Sequence, residues 1–298
     1  MESELPRAAD AWLAVVIFSK DRPCQLLCSL VSLLRHVRGV ALDISVLYKA
    51  SQPTFAESYF VVESLFQRRL YPSFAPVEWH WMEETDETSL GKLLDSMLAR
   101  VREKTATVLL TVDDALWFND FNAAAAMQLL KSDNRIYSVH AKLCPRIEYA
   151  HPNDKFMRVP PFSHFSLHQS TDSKEEGEKI SPDLLIFERE KGEYDWNYPW
   201  ELSASLYRLE SVEEVIQAIR SEFGSGAVDH PNHLEGYGVR LLKQQKLPSA
   251  KSSKYCACVT DPVVKVVTVN RVQSLFDNPV YSQSLLDVFE DFSVVHPE

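Results

Sequence analysis

Apolar residues in the first half of the chain alternate between two rhythms. Residues 12–18 form an unbroken apolar run, the pattern of a strand covered on both faces, and Ser19-Lys20-Asp21-Arg22-Pro23 ends it. Over 24–37 the apolar side chains recur at Leu26, Leu27, Leu30, Leu33, Leu34 and Val37, which is helical spacing. The same alternation predicts strands at 42–48, 77–82 and 107–112 and helices at 54–70, 90–101 and 121–130. Strand following helix in this order predicts an α/β fold: three layers, α/β/α, around a mostly parallel central sheet. Such sheets bind ligands at the carboxyl ends of their strands.

After about residue 140 the rhythm loosens. Residues 151–161 are rich in Pro and polar groups, and 170–181 (STDSKEEGEKIS) is polar and charged, the composition of a mobile loop. Periodicity returns with a strand at 184–187. Helices are expected at 211–220, where Ser211 and Glu214 have capping-box spacing, at 232–242 and at 282–289, with a strand at 263–269. No repeat or composition break divides the chain. The expectation is one domain over 1–298, with a regular half (11–140) and an irregular half (141–298).

Composition removes several functions. The 298 residues carry 31 Lys+Arg against 42 Asp+Glu, a net charge of −11. This disfavours a nucleic-acid partner, because phosphate neutralisation needs cations; it leaves room for a local basic pocket. With only 8 Gly, the chain has no G-x-G-x-x-G and no G-x-x-x-x-G-K-[ST]. H-E-x-x-H and G-x-S-x-G are also missing. Cysteines stand at 24, 28, 144, 256 and 258. Their odd number suits reduced thiols, and Cys256-Ala-Cys258 has no second pair to complete a metal site. No apolar run is long enough to span a bilayer, and the acidic start lacks a leader's basic region; a cytoplasmic protein is expected.

The richest segment is 108–115, where an apolar strand ends in Asp113-Asp114. Adjacent carboxylates need a cation or hydrogen-bond donors to relieve them. Mg²⁺ or Mn²⁺ bridging a diphosphate would serve; so would the N-terminus of the following helix. The first strand delivers Ser19, Asp21 and Arg22 to the same edge, although Asp21 and Arg22 could pair with each other. Lys49 ends the second strand, either meeting a phosphate or solvated.

The strand ends "FSKDRP", "VLYKAS" and "TVDD", with "SLGKLL" after the third strand, resemble glycosyltransferases of the GT-A fold, of the family-2-like nucleotide-sugar type. The resemblance implies a nucleotide-sugar across the first four strand ends, bound by Phe18, Ser19, Asp21, Arg22, Lys49, Lys92, Asp113, Asp114 and Arg271. It implies a divalent metal on Asp113 and Asp114; the family's D-x-D would place its second carboxylate at 115, where this chain has Ala115. An inverting transferase needs a base for the acceptor hydroxyl, and the resemblance points to Glu235, with Asp229 upstream in reserve. Asn232 and Glu235 also have capping-box spacing. Asp195 to Glu201, with Trp196, Tyr198 and Trp200, is either an aromatic wall for a glycan or other hydroxyl acceptor, or core. A scaffold relative without activity is the first rival. A nucleotidyltransferase is the second, and would carry a Gly-rich basic loop after the first strand.

Overall fold

The computed structural model describes residues 11–71, 73, 75–150, 154–165 and 184–267. The expected strand at 263–269 falls partly outside these residues, and the mobile loop at 170–181 wholly outside them. The helix at 282–289 and Asn270, Arg271 and Gln273 fall wholly outside them.

Nine strands build the main sheet: β1 (Trp12–Lys20), β2 (Ala41–Lys49), β3 (Val77–Glu83), β4 (Thr107–Val112), β5 (Ile136–His140), β6 (Phe162–Phe165), β7 (Leu184–Glu188), β8 (Ser205–Arg208) and β9 (Tyr255–Val259). Their spatial order is β6-β7-β9-β5-β8-β4-β1-β2-β3. β1 pairs in parallel with β2 and β4, β2 with β3, and β5 with β9. Only β7 and β8 run against the rest. The helices are α1 (Pro23–His36), α2 (Pro53–Gln67), α3 (Leu90–Val101), α4 (Ala123–Ser132), α5 (Leu209–Phe223), α6 (Pro231–Lys243) and the short α7 (Pro248–Ser252). The α/β class and mostly parallel sheet are as the periodicity predicts.

Strand geometry explains the continuous apolar runs. Successive side chains point to opposite faces, and both faces are covered. Leu13, Val15 and Ile17 pack with residues of α1, α2 and α4. Ala14, Val16 and Phe18 pack with residues of α3, α5 and α6. Burying one such side chain contributes about 1.5–3 kcal/mol, so β1, buried from Leu13 to Ser19, is the axis of the molecule.

The second half is stitched into the first. β8 lies between β4 and β5, antiparallel to both. Arg208, at its end, donates to the carbonyls of Leu130, Asp133 and Ile136 at 2.6–3.0 Å. Three sequence expectations change here. α5 starts at Leu209 with Arg208 at its N-cap, so Ser211 and Glu214 lie inside the helix. α6 is capped by His230, whose Nδ1 accepts from the Asn232 backbone N–H at 3.1 Å, so Asn232 and Glu235 form no capping box. α4 is capped by Asn122. Asp113 and Asp114 instead precede a short strand, Ala115–Trp117, which pairs with Val264–Val266.

Candidate functional site

The carboxyl ends of β1 and β4 are neighbours, because Phe18 pairs with Val112. The ladder runs one step further, with the Asp113 N–H donating to the Phe18 carbonyl at 3.1 Å. Ser19 and Asp113 are thereby brought side by side. Ser19 Oγ donates to Asp113 Oδ2 at 2.8 Å and lies 2.6 Å from Tyr59 Oη. Arg22 turns back from the start of α1 onto the same group. Its Nε reaches Asp113 Oδ2 at 3.1 Å, its Nη2 meets Asp113 Oδ1, and its Nη1 reaches Asp114 Oδ2 at 3.0 Å. Asp113 is fully buried. Burial pushes its carboxyl up to about 7, against the pull of Arg22 and with the help of Asp114.

The turn that makes this possible passes through Asp21, whose φ of 53° lies in the left-handed region that Asp tolerates better than most residues. Asp21 Oδ1 accepts the Ser51 N–H at 2.7 Å, and its own N–H reaches the Lys49 carbonyl at 3.1 Å. It pairs with the loop after β2 rather than with Arg22. Lys49 is paired with Glu84 at 2.7 Å, and Lys92 Nζ donates to the Glu87 carbonyl at 2.8 Å. Phe18 is core, 4% exposed.

A second group forms where α6 meets the segment before β8. Glu235 Oε1 accepts from Tyr198 Oη and its Oε2 from the Leu202 N–H, each at 3.0 Å. Burial raises its pKa, and nearby Lys142 opposes the rise. Trp196 and Trp200 are fully buried. Their indole N–H groups donate to the Ile147 and Leu234 carbonyls, so both are core, and Tyr198 supplies the hydrogen bond of the aromatic run to Glu235. Asp229 lies elsewhere: its Oδ1 accepts the Gly91 N–H at 2.9 Å, at the start of α3.

No family model matches the chain. Over 286 residues, 92% of its length, it is 28% identical to the bifunctional glycosyltransferase pgtA of Dictyostelium discoideum. The chain is similar to a glycosyltransferase. It spans 34% of that relative's length. Among solved structures, the mannosyltransferase PcManGT of Pyrobaculum calidifontis, in complex with GDP-Man and Mn²⁺, matches with a TM-score of 0.34 and 20% identity, covering 45% of this chain and 36% of that one. The likeness to pgtA takes in both halves of the chain, and the resemblance to a glycosyltransferase is borne out.

A divalent cation on the twin aspartates would need several oxygen ligands. Three of their four oxygens are taken by Ser19 and Arg22, and Ala115 is a fully buried methyl. As these residues stand, they do not fit Mg²⁺ or Mn²⁺; the guanidinium holds the cation's place. Among the described residues, Asp43, Glu78 and His80 also have ligand-like spacing. Asp43 already accepts from Arg100 at 2.6 and 2.7 Å and from Lys104 at 3.0 Å. It also lies six residues before the carboxyl end of β2, roughly 20 Å away at strand rise.

The sequence reading missed a buried polar group on β5. His140 Nδ1 lies 2.8 Å from both Glu201 Oε1 and Ser205 Oγ, and its Nε2 lies 2.8 Å from Ser138 Oγ. Lys142 Nζ meets Glu201 Oε2. The only signal was polar residues spaced by two, at 138, 140 and 142, in an otherwise apolar stretch.

Proposed function

We propose that the chain is a glycosyltransferase unit of GT-A-like arrangement, which moves a sugar from a nucleotide-sugar to an acceptor hydroxyl, on a glycan or another molecule. The observation that carries this is the convergence of Ser19, Arg22, Asp113 and Asp114 on the carboxyl ends of two adjacent parallel strands, where open α/β sheets bind ligands. The likeness to pgtA supports it. The donor half is 11–140, with Asp21, Lys49 and Lys92 along the rim and Arg271 as a further phosphate ligand. The acceptor half is 141–298. Glu235 is the base of an inverting transfer; it is held on both oxygens, so a free lone pair faces a fixed direction. Asp229 keeps the reserve role. No described helix is long and apolar enough to cross a membrane, and a cytoplasmic location suits five cysteines among which no disulfide forms.

Arg22 supplies the positive charge beside the diphosphate that the expected metal would otherwise bring. The test is a melting screen of nucleoside diphosphates and nucleotide-sugars, with and without Mn²⁺. At about 100 times Kd the matching donor raises Tm by about 4 °C, with or without the metal, and slow hydrolysis of that donor is lost in Asp114→Asn. Stabilisation only with Mn²⁺ would mean that Arg22 leaves the carboxylates. No stabilisation by any compound would favour the scaffold reading, which the closure of Arg22 over both aspartates also suits.

A further inference from the structure

Tyr59 belongs to α2, yet its hydroxyl serves the end of β1. The side chain is buried, and its ring centre lies 4.5 Å from that of Tyr48. A buried hydroxyl needs hydrogen-bond partners. The partners here are Ser19 Oγ at 2.6 Å and the Arg22 backbone N–H, which donates to Tyr59 Oη at 3.2 Å. That N–H needs an acceptor from outside its own helix. Arg22 is the N-cap of α1 and its side chain makes no cap bond, and the first N–H groups of a helix find no carbonyl within it. Tyr59 supplies the missing oxygen.

Arg22 is therefore held at both ends. Its backbone is tied to Tyr59, and its guanidinium spreads over Asp113 Oδ1, Asp113 Oδ2 and Asp114 Oδ2. Ser19 is held in the same way, between Tyr59 and Asp113 Oδ2. A planar fork of donors can span two carboxylates, as a point charge cannot. A divalent ion needs about six oxygen ligands, and the guanidinium leaves it only Asp114 Oδ1. To enter, the ion must break every contact of the guanidinium. Removing one partner of a buried ion pair is costly, and Asp113 is 0% exposed. The two hydrogen bonds of Tyr59 oppose that exchange from below.

We propose that Tyr59 is a positioning residue of the donor site: by holding the Arg22 backbone and the Ser19 hydroxyl, it locks the guanidinium onto the twin aspartates and makes Arg22, instead of a divalent ion, the cation offered to a diphosphate. The role toward the diphosphate rests on the glycosyltransferase reading; the exclusion of the ion does not. Tyr59 packs in one core with residues of β1 and β2, so the choice of cation is tied to the seating of α2 on the sheet.

The test is a titration of wild type, Tyr59→Phe and Arg22→Gln with Mn²⁺ alone. The electron paramagnetic resonance signal of the free ion falls as protein binds it, so the affinity is read without turnover. Arg22→Gln gains a Mn²⁺ site about tenfold tighter than any in wild type. Arg22→Gln/Asp114→Asn loses that site, which places the ion on the aspartates and not on Asp43, Glu78 and His80. Tyr59→Phe keeps the ring against Tyr48, frees Arg22 and Ser19, and binds Mn²⁺ about threefold more tightly than wild type. A tyrosine with a merely structural part would lower Tm and leave the titration unmoved. Where Tyr59→Phe fails to fold, Ser19→Ala takes its place, with the same rise expected. A wild type that holds Mn²⁺ as tightly as Arg22→Gln, or an Arg22→Gln that holds none, overturns the lock. Wild-type affinity in Tyr59→Phe, or in its substitute, overturns the part of Tyr59. The expected order of Mn²⁺ affinities, with no nucleoside diphosphate or nucleotide-sugar raising the Tm of wild type, sinks the transfer reading instead and leaves the lock standing.

Discussion

Single side chains at the site were legible in proportion to how local their partners are. Asp113 and Asp114 stood out because two adjacent carboxylates after an apolar strand need relief. What relieves them, Arg22, is 91 residues away in sequence, and only the pairing of β1 with β4 brings it there. His140 gave only the spacing by two of Ser138, His140 and Lys142, and its partners Glu201 and Ser205 lie more than 60 residues away in sequence. Its protonation can be tested directly. Burial works against the charged ring, but Cys256 and Glu201 raise its pKa from 6.5 to about 9. A folded value above the unfolded one adds stability that is complete below pH 6.5 and is lost as pH rises through 9. Urea unfolding of wild type and His140→Gln should therefore show a gap that is widest near pH 6 and narrows to a plateau above pH 9. A gap constant over that range would mean a neutral ring.

Elements were legible where both faces of a strand are apolar. β1 and β4 lie within a few residues of their expected ranges for that reason, β2 and β3 because Leu42, Ile44 and Val46 and Val77, Trp79 and Trp81 recur at alternate positions, and α1 to α3 because their apolar residues recur at helical spacing. β5 and β8 did not show, because Ser138, His140 and Ser205 are polar residues buried inside strands and satisfied by one another. Helix starts were the least legible. α3 begins after Ser89, a good capping residue by type, yet its side chain makes no cap bond; Asp229, 138 residues on, accepts the Gly91 N–H instead. Gly91 permits that approach. A Cβ there would lie 2.6 Å from Asp229 Oδ1 and 2.8 Å from Val228 Cγ2. Gly91→Ala should cost about 1–3 kcal/mol through overpacking, and Asp229→Ala about 0.5–2 kcal/mol through the lost cap. Asp229→Asn, which keeps an acceptor oxygen, should cost less. The double variant Gly91→Ala/Asp229→Ala should fall short of the sum, because removing the carboxylate relieves the crowding. Urea midpoints of the four proteins check all of these values.

Over the whole molecule, the expected division at residue 140 follows the change in periodicity, but not a seam in the sheet. β8 and β9 belong to the second half in sequence, yet β8 separates β4 from β5. A chain built this way should unfold in one step. Fluorescence of the six tryptophans, far-ultraviolet circular dichroism and proteolysis should give one coincident urea transition, and fragments 1–140 and 141–298 expressed separately should each lack a cooperative transition. Two resolved transitions would show that the halves are stable apart.

The central placement of β8 also sets a timetable for synthesis. When His140 leaves the ribosome, β4 and β5 have no hydrogen-bonding partner between them until Ser205 arrives, roughly 65 residues later. At ordinary elongation rates that wait is about 3–13 s, and two bare strand borders invite mispairing throughout it. The nascent polypeptide is therefore most in need of chaperone shelter during that interval, and slow codons between 141 and 204 would lengthen its exposure.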